Sequence, residues 1–246
     1  MTQTKGTIQV TVIFPAFNEA PWLETAVEKT TEALSKFVHS YEIIVAEDGA
    51  TDGTDKIAER FSQNNPSVKH LHGDERLGRG VALNNAFQKS AGDVIVYMDV
   101  DLATNLKHLQ PLVDVIQAEG FDIVTGSRLL RESKVQRSFR RAITSKSYNF
   151  WVRKILGSKL RDHQCGFKAF KRETVMPLLQ EVNAKHWFWD TEILVRAQRK
   201  GLKVKEIPVE WKSGRKTKVS LMKDSFNMGK QVLQLWWKLR KDRKRE

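Results

Sequence analysis

Val94-Ile95-Val96-Tyr97-Met98-Asp99-Val100-Asp101 is the stretch that decides how this chain is read. Five apolar, β-prone residues end in two carboxylates on alternate positions. An extended chain projects alternate side chains to the same side, so Asp99 and Asp101 are expected to face one way at a strand exit. Such a pair can hold a hard divalent cation such as Mg²⁺, which takes one or two protein oxygens together with substrate phosphates. The competing reading is two acids that open a loop and cap a helix near Leu106.

The same arrangement recurs on the N-terminal side. Residues 10–14 and 41–46 read as strands, 68–72 as a weaker one, and 121–127 contains a short one. Helical patterns fall between them, over 21–37, 54–61, 80–89 and 106–119. Pro21 suits a first helical turn. This alternation predicts an α/β fold with a mostly parallel central sheet and helices on both faces. Ligands of open α/β sheets sit beyond the carboxyl ends of the strands. Candidate residues fall at three such exits: Asn18 and Glu19, Glu47 and Asp48, then Asp99 and Asp101.

The chain has 246 residues, enough for one large domain, and 40% of them are hydrophobic. Its single cysteine, Cys165, rules out an internal disulfide and a cysteine-rich zinc site, and reads as a packing residue. No histidine constellation in the sequence suggests hydrolysis or zinc binding. The first six residues lack the apolar stretch of a signal peptide, and no run is long enough to span a bilayer. The expectation is a soluble or peripheral protein. The net charge is +13, concentrated in residues 131–161 (ten Lys/Arg, one acid) and 212–246 (twelve Lys/Arg, three acids). The remainder is net acidic. Such patches attract nucleic acid, anionic lipid or phosphorylated ligands.

Grouped motifs now carry a resemblance. Pro15-Ala16-Phe17-Asn18-Glu19, Glu47-Asp48-Gly49-Ala50-Thr51-Asp52-Gly53-Thr54 and Asp99-Val100-Asp101 resemble, in order and spacing, the motifs of inverting family 2 nucleotide-sugar glycosyltransferases. Gly126-Ser127-Arg128, Gln136-Arg137-Ser138, the run from Arg161 to Lys168 and Trp189-Asp190-Thr191-Glu192 look most like dolichyl-phosphate glucosyltransferases, and somewhat less like the mannosyltransferases. The resemblance covers roughly residues 8 to 220. It implies a GT-A type nucleotide-sugar-binding fold, with residues 1–220 as catalytic domain and 221–246 as a basic amphipathic helix and tail.

The resemblance also implies roles. Pro15, Asn18, Glu19, Glu47 and Asp48 would serve the nucleotide, with Gly49 allowing close backbone approach. Asp99 and Asp101 would hold Mg²⁺ or Mn²⁺ on the donor diphosphate. Some relatives add a Gln ligand two residues later, where this chain has Ala103. Arg128, Arg141 and Ser145 would handle acceptor phosphate, and Lys218, in a cluster with Lys212 and Arg215, would cover the donor phosphates. Asp162, Asp190 and Glu192 are the acids nearest the acceptor. Structural alternatives stay open. Glu19 and Asp52 could serve a helix start, Arg141 a solvated face, and Asp162 a buried cap.

Aromatic and aliphatic residues recur at helical spacing among basic ones in both basic segments. Phe139, Ile143, Phe150, Trp151 and Ile155 mark the first; Val232, Leu233, Trp236, Trp237 and Leu239 mark the second. Either helix could lie in a membrane interface or pack on the domain. The expected reaction is inverting transfer of a hexose, first glucose from UDP-glucose, to dolichyl or another polyprenyl phosphate, by an enzyme peripheral on the cytoplasmic face of a membrane. The alternatives are a GDP-mannose donor, a hydroxyl acceptor, or a non-enzymatic nucleic-acid binder. The last leaves three acidic strand exits unexplained, so nucleic acid is not an expected partner.

Overall fold

The computed structural model describes residues 8–212 and 221–242. In chain order it runs β1 (Val10–Ala16), α1 (Ala20–Ser35), β2 (Tyr41–Glu47), α2 (Thr54–Asn64), β3 (Val68–Leu71), α3 (Arg79–Lys89) and β4 (Val94–Met98). A 3₁₀ turn (Leu106–His108) then leads into α4 (Leu109–Gln117), followed by β5 (Ile123–Ser127), β6 (Lys134–Gln136) and α5 (Phe139–Leu156). The rest is β7 (Phe167–Lys171), α6 (Arg172–Leu179), α7 (Trp189–Arg199), β8 (Val204–Pro208), β9 (Glu210–Lys212) and α8 (Leu221–Asp242). The main sheet has the order β3-β2-β1-β4-β7-β5-β8, and β6 pairs with β9 in a second, two-stranded sheet. Within the main sheet β7 alone runs antiparallel to its neighbours, β4 and β5. The expected mostly parallel sheet with helices on both faces is what forms.

The apolar strands build two cores at once, because alternate side chains point to opposite faces. Val10, Val12 and Phe14 of β1, Ile43 and Val45 of β2, and Val94, Val96 and Met98 of β4 enter a core shared with α1 and α4. Ile13, Ile44, Ile95 and Tyr97 enter the opposite core with α3, α6 and α7. With both faces covered, these strands read as continuous apolar runs, and the sheet fixes where each of their exits lies. A third cluster joins Val152 and Leu156 of α5, Phe188, Val195 of α7, and Val232, Leu235 and Leu239 of α8. One face of α8 is therefore packed on the domain.

Two departures from the sequence reading bear on the site. The helical pattern over 106–119 is split, with Asn105 Oδ1 accepting from Lys107 N (3.0 Å) at the start of the 3₁₀ turn. Strand β7 is disguised by Lys168, a charged residue with no side-chain exposure. Its ammonium donates to Asp190 Oδ1 (2.6 Å), Cys165 O (2.5 Å) and Tyr97 Oη (3.1 Å). A buried charge is tolerated only when partnered in this way. The strand matters to the site, because its antiparallel run carries Gly166 beside Asp99.

Candidate active site

A cavity of about 320 Å³ opens over the carboxyl ends of β1, β2 and β4. Pro15, Glu19, Asp48, Asp99 and Asp101 line it from the sheet side. Arg128, Arg141, Ser145 and Asp190 line it from the side of β5, α5 and α7. Nine of the residues singled out in the sequence thus meet in one cleft.

On the first side, backbone groups hold the acids. Asp48 is buried, and its two carboxylate oxygens accept from Leu77 N (2.9 Å) and Gly78 N (2.8 Å). A carboxylate has about four acceptor sites, so this leaves capacity for a base N–H. Gly78 has φ +114°, and any Cβ there would collide with Lys185 O. Glu19 sits at the N-cap position of α1 without its side chain capping the helix, and lines the cleft. Asn18 instead ties two exits together, its Oδ1 accepting from Thr51 N (2.8 Å). Asp52 fulfils the turn-and-cap reading: its carboxylate accepts from Thr54 N, Thr54 Oγ1 and Ala20 N. Gly49 does allow close approach, but to the backbone of Glu75 and Arg76. Glu47 is turned away from the cleft. Its Oε1 accepts from Ala50 N, and its Oε2 lies 2.6 Å from His72 Nδ1.

At the centre, Asp99 and Asp101 do face one cleft, for a reason other than strand alternation. β4 ends at Met98, and the acids stand in a turn in which Leu102 N donates to Asp99 O (3.1 Å). Leu102 takes φ +47°, a conformation disfavoured for a branched apolar residue and a form of strain that clusters at functional sites. Asp99 N donates to Gly166 O (3.1 Å), and a Cβ on Gly166 would strike the Asp99 carboxylate. Asp99 Oδ1 is buried without a donor in hydrogen-bond geometry, with Arg79 Nη1 at 2.6 Å. Asp101 Oδ1 accepts from Ala103 N (3.1 Å), and Ala103 has no side-chain ligand to offer. Two convergent carboxylates, one of them also ion-paired with Arg79, fit a divalent cation that completes its shell with phosphate and water.

On the far side, side chains hold side chains. Asp162 is fully buried and grips Arg128 twice, at Nε (2.7 Å) and Nη2 (2.9 Å), and also accepts from Arg128 N. Burial alone would raise its pKa, but the guanidinium's charge and hydrogen bonds hold the carboxyl well below the usual range. Asp162 is therefore not a proton acceptor. It positions Arg128, whose face also lies 5.6 Å from the Trp211 ring. Asp190 lines the cleft, and burial pushes its carboxyl up to about 7. Burial likewise pushes its partner Lys168 down. Glu192 is structural, its carboxylate accepting from Asn183 N, Ala184 N and Arg196 Nε. Arg141 and Ser145, one helical turn apart, share the face of α5 that lines the cleft, and Ser145 Oγ is buried without a hydrogen-bond partner. Cys165 is buried, and burial raises its thiol to about 11, as a packing residue requires. Lys212 is exposed at the end of β9. Lys218 and Arg215 lie outside the described residues.

Sequence reading missed Arg79, Arg76, Trp187 and the histidine pair. Arg79 is nearly buried between the Asp99 carboxylate and the Trp187 ring (4.9 Å). Arg76 stacks at 3.8 Å over Phe17. The available signal was Gly78-Arg79-Gly80, two glycines bracketing a cation at a helix start. His70 and His72 correct the expectation that no histidine cluster forms, because they meet Glu47 behind the cleft.

The sequence profile described as Glycosyl transferase family 2 matches residues 11–179. The chain is 47% identical over 238 residues to Glycosyltransferase AglD of Haloferax volcanii, covering 96% of this chain and 38% of that protein. It is 30% identical over 241 residues to the dolichyl-phosphate beta-glucosyltransferase of Dictyostelium discoideum, covering 93% of this chain and 74% of that protein. The chain thus spans well under half the length of the first relative and about three quarters of the second. In structure it is similar to glucosyl-3-phosphoglycerate synthase of Mycobacterium tuberculosis in complex with UDP, with a TM-score of 0.67 at 22% identity over 93% of this chain and 79% of that one. Crystals of that synthase with Mn²⁺, UDP and glucosyl-3-phosphoglycerate give a TM-score of 0.66 at 21% identity, over 93% of this chain and 78% of that one. The shared feature is the GT-A fold.

Proposed function

This chain belongs to glycosyl transferase family 2, and we propose that it moves a hexose, first glucose from UDP-glucose, onto dolichyl or another polyprenyl phosphate with inversion. The product is a β-linked lipid-phosphate sugar. The observation that carries this reading is a second groove, of about 790 Å³, beside the cleft. Arg128 and Arg137 line both cavities, and Phe139, Phe150, Lys146 and Arg153 line the groove. An acceptor with an anionic head and an apolar tail suits a path in which arginines lead into the cleft and aromatics flank the entrance. The names of the dolichyl-phosphate relatives support the same acceptor class.

The geometry suggests a division of labour. Glu19 and Asp48 receive the nucleotide. Asp99 and Asp101 would hold Mg²⁺ or Mn²⁺, which would supply charge neutralisation for the departing diphosphate. Lys218 would add a cation over the donor phosphates. Arg128, fixed by Asp162, offers a bidentate fork to phosphate. Arg141 and Ser145 hold the acceptor phosphate so that its oxygen approaches the anomeric carbon from the face opposite the diphosphate. A phosphate monoester is already anionic near neutral pH and needs no base, so most of the rate comes from positioning and charge complementarity. Asp190 favours a second reading, transfer to a hydroxyl, because a cleft carboxyl with a raised pKa can take a proton. Its 2.6 Å contact with Lys168 weighs toward a positioning role.

Among the described residues no helix is long and apolar enough to cross a membrane. Phe139, Ile143 and Phe150 are exposed on one stripe of α5, and Trp151, Leu233 and Trp237 are exposed nearby in sequence or on α8. With basic neighbours such as Lys154 and Lys238, these residues suit the headgroup boundary of a membrane. We place the enzyme peripherally on the cytoplasmic face, with residues 221–246 as part of that contact.

The test is transfer of radiolabel from UDP-glucose, and in parallel from GDP-mannose, to polyprenyl phosphate, with and without Mn²⁺ or Mg²⁺. Metal-dependent label in the organic phase is the expected result, and the productive donor identifies the sugar. Label on a soluble hydroxyl acceptor, with none in lipid phosphate, would overturn the proposed acceptor.

A further inference from the structure

Behind the cleft wall lies a cluster that the reaction above does not use. Glu47 closes β2, and the parallel pairing of β2 with β3 sets Val45 opposite His70 and Ala46 opposite Leu71. His70 and His72, two residues apart, come to the same side as the Glu47 carboxylate. Glu47 Oε2 is 2.6 Å from His72 Nδ1 and 3.9 Å from His70 Nε2, and the three atoms lie within 4.8 Å of one another. His70 Nε2 is buried and has no hydrogen-bond partner. His72 Nε2, on the far side of its ring, faces Asp74 Oδ1 at 3.6 Å. Asp55 and Glu59 of α2 act electrostatically on His70 and make the neighbourhood more negative.

We propose that Glu47, His70 and His72 form a second metal site, of zinc type, separate from the Asp99–Asp101 pair. Two imidazoles and one carboxylate are a borderline-soft set that selects Zn²⁺, Co²⁺ or Ni²⁺ over Mg²⁺. Tetrahedral zinc at bond lengths near 2.0 Å places ligand atoms about 3.3 Å apart. The present spacings bracket that value, and His72, half exposed, is free to turn by the small amount required. Solvent supplies the fourth position. Asp74 then stands where an outer carboxylate orients a ligating histidine through its other ring nitrogen.

The site has a mechanical consequence. Glu47 Oε1 is already engaged by Ala50 N, and the next residue, Asp48, is held by Leu77 N and Gly78 N. A metal joining Glu47 to His72 therefore braces the start of the 72–78 loop against the β2 exit. The same loop carries Arg76 into the cleft and leads into Arg79.

The test uses the full chain stripped of metal, titrated calorimetrically with Zn²⁺ and spectroscopically with Co²⁺. One equivalent should bind, with the visible bands of four-coordinate cobalt. In His72→Ala, with the fold checked by circular dichroism because the buried Glu47 carboxylate loses a partner, zinc affinity should fall about 100-fold or more and the cobalt bands should disappear. His70→Ala should act in the same direction, while Asp99→Ala/Asp101→Ala should leave zinc uptake unchanged. Zinc uptake by wild type that His72→Ala and His70→Ala both retain would overturn the site, as would no uptake at micromolar zinc. The readout is independent of glycosyl transfer, so failure of the functional proposal would not affect it.

Discussion

On the side of the cleft built by the exits of β1 and β2, the acids are fastened by main-chain N–H groups. Leu77 and Gly78 hold Asp48, and Thr54 and Ala20 hold Asp52. On the side built by α5, β7 and the loop between them, buried side chains fasten one another: Asp162 to Arg128, Asp190 to Lys168, and His163 to Asn149 and Ser158. Main-chain donors do not titrate and cannot be deleted by substitution. Buried side-chain partners do both, and losing one leaves the other desolvated and unpaired. The proposed nucleotide side should therefore be tolerant and the proposed acceptor side brittle, with the Asp99–Asp101 turn common to both.

That turn gives the largest expected effect. Asp101→Ala should lower sugar transfer by about 10³-fold or more, since it removes half of the proposed cation site and the charge stabilisation that goes with it. Its melting temperature should stay close to wild type, because Asp101 is partly exposed and stands in a turn beyond the end of β4, where it accepts from Ala103 N. Full transfer by the variant in metal-free buffer would remove the metal from the mechanism.

Asp162→Asn probes the brittle side. It keeps the shape but leaves the Arg128 guanidinium buried without its counter-charge, which should cost about 3–5 kcal/mol of stability. Transfer should fall as well, by about 100-fold, through misplacement of Arg128. Chemical denaturation and single-turnover transfer on the same preparation separate the two losses. A stable Asp162→Asn protein would contradict the contrast drawn between the two sides.

Acid should loosen the same side first. His163 is buried, its Nδ1 2.7 Å from Asn149 Oδ1 and its Nε2 2.7 Å from Ser158 Oγ, which locks α5 to the following loop. Burial pushes its pKa down to about 4, against the pull of Asp162. The unfolded chain takes up this proton near pH 6.5 and the folded chain only near 4. Its contribution is complete above about pH 6.5 and is lost as the pH falls toward 4. The loss reaches roughly 2–3 kcal/mol by pH 4.5. Urea unfolding at pH 7.5 and 4.5 should show it, and His163→Gln should flatten the difference.

The same contrast explains what could be read from the sequence. Strand exits on the nucleotide side are local events: an apolar run stops and an acid follows within one to three residues, so Glu19, Asp48, Asp99 and Asp101 were legible. Glu47 was not, because adjacent residues point opposite ways and only the pairing of β2 with β3 shows that it turns toward His70. Across the cleft the partners lie far apart. Asp162 is 34 residues from Arg128, and Asp190 is 22 from Lys168. Nothing local distinguishes an acid that neutralises a buried cation from one that takes a proton. Lys168 also hid the strand that carries it. Arg79 was overlooked because it follows no strand directly and reaches Asp99 from the start of α3.

The smallest effect should come from the main-chain-fastened side. Asp52→Ala removes the acceptor that serves Thr54 N and Ala20 N near the starts of α2 and α1, a capping loss worth about 1 kcal/mol. Asp52 is itself exposed and Ala20 partly so, so water can replace the acceptor there, while Thr54 is buried and carries most of the loss, which stays within the capping range. Asp48 keeps its own two donors in this variant, so nucleotide affinity measured by calorimetry should change by no more than about threefold. A loss comparable to that of Asp162→Asn would mean that the fastening of the β1 and β2 exits is cooperative after all, with Asp52, Thr54 and the Glu19 backbone acting as one unit through the Glu19 N to Thr54 Oγ1 bond (2.8 Å).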